Sequence, residues 1–149
     1  MNVPVTFIIK GVVMVKMSIE YQGQLHCQLT HEPSGKQIET DAPKDNNGKG
    51  EAFSPTDLMA SSLGACMMTI MGIAANRHAI ELKGTTIEVI KEMITEPVRR
   101  IGKIHVTLKM VAGIPKEKRN MLETAAHACP VHKSLHPDII TPITFIYPD

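Results

Sequence analysis

From Ser54 to Ala79 the chain reads SPTDLMASSLGACMMTIMGIAANRHA, and between Asp57 and Arg77 it carries no charged residue. Few folds accommodate such a run. Ser54 suits a helix cap, Pro55 the first helical position and Asp57 the first turn, so a helix is predicted from this point. A helix that is apolar nearly all round must be buried on most of its sides. Ala60, Ser61, Ser62, Gly64 and Ala65 are small and let another backbone approach closely. The run is read as the central helix of the domain. It is taken as too short and too serine-rich in its first half for a membrane span, and no other apolar run reaches that length.

The flanking segments alternate. SIEYQGQLHCQLTH, around Gly23, predicts a hairpin, EPSG a turn, and KQIETDAP a short strand ending at Pro43. KDNNGKGEAF is a polar, glycine-rich loop. After Gly84, TTIEVIKEMI and GKIHVTLKM alternate as two long antiparallel strands with one wet face, joined through EPVRR. IPKEKRNMLETAAHA predicts a second helix, CPVHKSL a short third one, and ITPITFIY a last strand, which Pro142 places at a sheet edge. The order gives an α+β fold, an antiparallel sheet packed on a long central helix. Residues 17–149 read as one domain. Residues 1–16, apolar but with neither a basic start nor a small-residue cleavage site, read as an extra edge strand or as an upstream extension, the natural start then being Met14 or Met17.

Lys and Arg number 16 against 15 Asp and Glu, and no basic stretch is interleaved with aromatics, so neither nucleic acid nor a membrane is expected as a partner. Aromatics make up 3% of the chain and methionines number 10, so Ile, Leu, Val, Met and Ala must build the core. A core of this size gains from dimerisation. Three cysteines, an odd number, argue against a secreted disulfide framework and for a cytoplasmic setting.

The chemistry-bearing stretch is AHACPVHKSLHPD, residues 126–138. With Pro130 as the first helical residue, Cys129 becomes the N-cap, facing unpaired N–H groups and the positive helix end. That setting favours thiolate, and His132 and Lys133 lie within one turn. Cys66 lies about three turns into the apolar helix, where burial raises a thiol pKa. Cys27 sits in an alternating strand and reads as structural. His127, Cys129 and His132 lack the paired spacing of a zinc site, and the remaining histidines are scattered, so no metal is expected. Ser61 and Ser62 lie inside a helix, not on a nucleophile elbow. NNGKGEAF lacks phosphate-loop spacing, and no cofactor is expected.

In combination, SPTDLMASSLGACMMTIM and AHACPVHKSL, with two strands between them, resemble the OsmC/Ohr family over about Gln24 to Tyr147. The resemblance implies an intertwined homodimer with sheets wrapped around two central helices and both cysteines at the interface. It implies a thiol-dependent peroxidase acting on organic hydroperoxides, in which Cys66 attacks the peroxide and Cys129 resolves the sulfenic acid as a disulfide, restored by a dithiol reductant. A pocket of Met67, Met68 and Met71 would favour alkyl or lipid hydroperoxides. The chain departs from the pattern twice. Active members carry Glu directly after the helix-start Pro, where Thr56 stands here and the acid follows as Asp57. Their partner Arg lies upstream of the first cysteine, whereas this chain has no Arg before Arg77. Asp57 is the acid expected near the site, with Lys36, Lys44, Lys49 or His31 as stand-ins for the Arg. The same scaffold without turnover would serve as a dimeric redox sensor or a carrier of apolar ligands.

Overall fold

The computed structural model describes the backbone of residues 6–9 and the whole of residues 11–148. Two compact units divide the chain, residues 1–56 and 57–149.

The first unit is built from hairpins. Strands β1 (Thr6–Ile9) and β2 (Val12–Val15) pair antiparallel as a two-stranded sheet of their own. Residues 1–5 of the N-terminal segment lie outside the described residues. Strands β3 (Met17–Gly23), β4 (His26–His31) and β5 (Lys36–Asp41) form an antiparallel meander. Its register aligns Ile19 with Leu29 and Leu29 with Ile38, and Tyr21 with Cys27 and Cys27 with Thr40. Opposed residues share a face, so one side of this sheet is apolar. That side is open: Ile19 is 63% exposed and Ile38 53%.

The second unit holds the apolar core. Helix α1 (Pro55–Asn76) enters it at Asp57. Strands β6 (Thr86–Ile94) and β7 (Arg100–Lys109) form the predicted long antiparallel pair. Strand β8 (Ile143–Ile146) lies at the edge, as Pro142 implies, but parallel to β7. The reason is the connection: α2 (Lys116–His127) and α3 (Pro130–Ser134) carry the chain back across the sheet before β8 begins.

The buried stripe of α1, Ala60, Leu63, Gly64, Met67, Met71 and Ala75, follows helical spacing. It packs with alternate residues Ile104, Val106 and Leu108 of β7 and with Leu122 and Ala126 of α2. Gly64 sits where an added Cβ would come 3.0 Å from Val89 and 3.1 Å from Ile87, so its lack of a side chain sets the helix-to-sheet distance. The opposite side of α1 departs from expectation. Met59 and Ile73 are exposed, so within one chain the helix is covered along one stripe and not on most sides. At 22 residues α1 is also long and apolar enough to cross a bilayer, contrary to the expectation from its serines; here its stripe lies in the core.

Candidate functional site: a buried and a half-exposed thiol

Cys129 is the hinge between α2 and α3. Its N–H bonds back to the Ala126 carbonyl at 3.2 Å, closing α2. Its extended backbone (φ −62°, ψ 139°) opens α3, with Pro130 at the first helical position. The His132 N–H then donates to Cys129 Sγ at 3.3 Å. The N-cap geometry read from Cys-Pro is therefore present.

Its electrostatic consequence is not the expected one. Cys129 has no solvent exposure. Burial pushes its thiol pKa above the ordinary value, and the neighbouring Cys66 thiol pushes it further the same way; the N–H groups of His132 and Val131 pull against them and do not prevail. Two amides of a five-residue helix do not make up for the lost hydration of a thiolate. Cys129 is thus held as a neutral thiol. His132 and Lys133 add no ion pair at the sulfur. The His132 ring donates from Nδ1 to the His127 carbonyl at 3.3 Å, and its Nε2 meets Thr141 Oγ1 at 3.0 Å. Lys133 is exposed.

The structure brings Cys66 and Cys129 together within a single chain, 129 − 66 = 63 residues apart in sequence. Cys66 packs against the cluster that includes Cys129, close enough to perturb its titration. Both are free thiols, and they differ in access: Cys66 is partly exposed, Cys129 is buried. A groove of about 380 Å³ runs along α1, lined by Ser61, Gly64, Ala65, Met68, Ile87 and Val89; neither thiol is among these residues. Of the three methionines expected to line a pocket, Met68 does so. Met67 and Met71 lie wholly in the core, because their i, i+4 spacing puts them on the buried stripe.

Asp57 is not brought to the thiols. It stands nine residues before Cys66, which on a helix is about 13 Å along the axis and about half a turn around it. Its partner is Lys91, whose Nζ lies 2.7 Å from Asp57 Oδ1. Sequence reasoning overlooked Lys91, although a signal was present. Register pairs Ile87 with Leu108, Val89 with Val106 and Lys91 with Ile104, so Lys91 interrupts the inward, apolar side of β6. The cations expected in its place belong to unit 1–56 and are engaged or exposed within it. Lys49 Nζ donates to Gln24 Oε1 at 2.8 Å, His31 Nδ1 meets Ser34 Oγ at 2.7 Å, and Lys36 and Lys44 are exposed. Among the described residues no three His, Cys, Asp or Glu side chains converge as metal ligands.

The model of the OsmC-like protein family matches residues 48–143, a span that includes α1, both thiols and the strands between them. The chain belongs to the OsmC-like family. A crystal structure from Psychrobacter arcticus 273-4, provisionally described as an osmotic stress induced and detoxification response protein, is 43% identical. It superposes with a TM-score of 0.84, over 89% of this chain and 96% of that one. Two more distant members share the OsmC-like fold. The organic hydroperoxide resistance protein of Elizabethkingia anophelis is 17% identical, with a TM-score of 0.73 over 94% of this chain and 100% of its own. The organic hydroperoxide resistance protein OsmC of Legionella pneumophila is 18% identical, with a TM-score of 0.66 over 88% and 95%. No curated protein matches the sequence.

Proposed function

We propose that this OsmC-like protein is a thiol-dependent peroxidase for organic hydroperoxides. The observation that carries the reading is the meeting, inside one chain, of a solvent-reachable thiol and a buried one. In the first step the Cys66 thiolate attacks the peroxide's terminal oxygen. The O–O bond breaks, Cys66 becomes a sulfenic acid, and the alkoxide takes a proton to leave as an alcohol. In the second, the Cys129 sulfur displaces the sulfenic hydroxyl. Its thiol proton leaves with that hydroxyl as water, and the disulfide forms. A dithiol reductant returns both cysteines by exchange and leaves as its own disulfide. Cys66, the accessible sulfur, suits the attacking role. Cys129, kept neutral and out of solvent, is protected from direct oxidation and suits the resolving role. Asp57 is given no step of its own; it holds Lys91.

The working form proposed is a cytoplasmic homodimer. Two apolar surfaces motivate the dimer, the outer side of α1 and the Ile19–Leu29–Ile38 side of the meander. Reduced thiols fit the compartment. The test is consumption of cumene hydroperoxide with dithiothreitol. Wild type should turn over and Cys66→Ser should not. Equal rates would remove Cys66 from the chemistry. A second reading, a redox sensor or apolar-ligand carrier without turnover, draws on the distance of Asp57 from the thiols. It requires slow thiol loss after one equivalent of peroxide, together with binding of an apolar ligand.

A further inference from the structure

Helix α3 is five residues long, too short to hold its shape in water unaided. Val131 and Leu135 pack it onto the core. Apolar contacts set its depth but are not directional. The directional ties come from one ring. His132 Nε2 meets Thr141 Oγ1 at 3.0 Å, and Nδ1 meets the His127 carbonyl at 3.3 Å. A carbonyl can only accept, so Nδ1 carries the proton, and Nε2 of the neutral ring accepts from the Thr141 hydroxyl.

Both ends of this tie are anchored. On one side, the Ile104 and Val106 N–H groups of β7 donate to the Ile140 and Pro142 carbonyls, each at 2.9 Å. Thr141, between those two residues, is therefore fixed to the sheet edge. On the other side, His127 ends α2, and its ring stands 6.1 Å from the His132 ring and 6.1 Å from that of Phe145 in β8.

The same residue reaches the buried sulfur, since the His132 N–H donates to Cys129 Sγ at 3.3 Å. Ring and amide belong to one residue, so holding the ring holds the amide. The place of the sulfur is set from α2 and from the edge of the sheet as well as from α3.

We propose that His132, clamped between the His127 carbonyl and Thr141, is a positioning residue that presets Cys129 for bonding to Cys66. This rests on the two-thiol reading above and adds the residue that governs its second step. In that step the S–S bond forms and the S–O bond of the Cys66 sulfenic acid breaks. The Cys129 proton leaves with the hydroxyl as water. A preset sulfur acts at high effective concentration, so loosening the clamp slows this step and spares the first.

The experiment gives the reduced full-length protein one equivalent of cumene hydroperoxide, quenches at intervals and alkylates the remaining thiols. By mass spectrometry, loss of the Cys66 thiol reports the attack, and the Cys66–Cys129 disulfide reports the resolution. Thr141→Val removes the hydroxyl and keeps the shape. Its attack rate should match wild type, while its disulfide should form about fivefold more slowly, the worth of one ordinary hydrogen bond. Thr141→Ser should restore the wild-type rate. His132→Ala loses both ring contacts and should slow the disulfide about twentyfold. Should His132→Ala fail to fold, the two Thr141 variants decide. A merely structural role would lower stability and leave the ratio of the two rates unchanged.

Wild type that loses no Cys66 thiol to peroxide would end the peroxidase reading and leave this one standing. The clamp is then judged by equilibrium with glutathione, where Thr141→Val should favour the dithiol about fivefold and Thr141→Ser should not. An unchanged rate ratio or glutathione equilibrium in Thr141→Val, no rescue by Thr141→Ser, or no disulfide in either assay would overturn the proposal.

Discussion

The two units of this chain bury opposite kinds of residue. Among the described residues, the buried members of unit 57–149 are apolar side chains and Gly64, running from Ala60 through Leu63, Met67 and Ile104 to Cys129. Those of unit 1–56 are Thr40, Asp41 and Ser54. Meanwhile Met17, Ile19, Tyr21 and Ile38, which belong to a sheet face that ought to be covered, stand in the open. The lesson is about what each unit needs. The second closes its own core and tunes a thiol by withholding water. In the first, the described residues on the apolar side of the meander are largely exposed, and a few strands without a covered face are marginal in water. Its stability has to come from outside, which is the reason for proposing a second copy.

The hardest test of this contrast is a pair of truncations. Leu63→Ala should cost about 2–5 kcal/mol in urea unfolding at any protein concentration, as a cavity in a closed core does. Ile19→Ala should cost under about 0.5 kcal/mol if that residue stays exposed. A larger, concentration-dependent loss would show that Ile19 is covered in an assembly. Sedimentation of Ile19→Asp would then return a monomer.

Next in size is Gly64→Ala. The new methyl must displace Ile87 or Val89, which are already at contact distance, so a loss of about 1–3 kcal/mol is expected. No loss would mean that α1 rides more loosely on its sheet than the packing implies.

A third test concerns pH. The folded pKa of Cys129 lies above its unfolded value. The unfolded thiol ionises near pH 8.5 while the folded one stays protonated, so this contribution is complete below about pH 8.5 and is lost as pH rises further. Chemical denaturation between pH 7 and 10 should show the decline, and Cys129→Ala should flatten it. The smallest effect is expected for Lys91→Met. Asp57 is 40% exposed and open to water, so about 1 kcal/mol or less should be lost with the Lys91 ammonium, with little change in peroxide turnover.

Much of the fold was legible because its signals were periodic. Charge-free helical spacing marked α1, period-two alternation marked β6 and β7, and Cys-Pro marked the start of α3. The meander was readable from its turns. What was hidden depended on partners distant in sequence. Alternation cannot say whether β8 runs parallel to β7; the crossover through α2 and α3 decides that. Nor can it say that Lys91 meets Asp57, although a lysine at an apolar position was a hint. At the site, the local sequence placed the N–H groups around Cys129 correctly and misjudged the net result. The local signal contains the helix end but not the depth of burial, and burial prevails. The tie from His132 to Thr141 was illegible altogether, since it depends on a short helix meeting the edge of the sheet.

The unequal depth of the two sulfurs has a directional consequence. Were they joined, an incoming reductant would find a single doorway, on the helix side, with the inner sulfur as the leaving group. A mixed disulfide would then form on Cys66 alone, and bulky reductants would be turned away while slender ones entered.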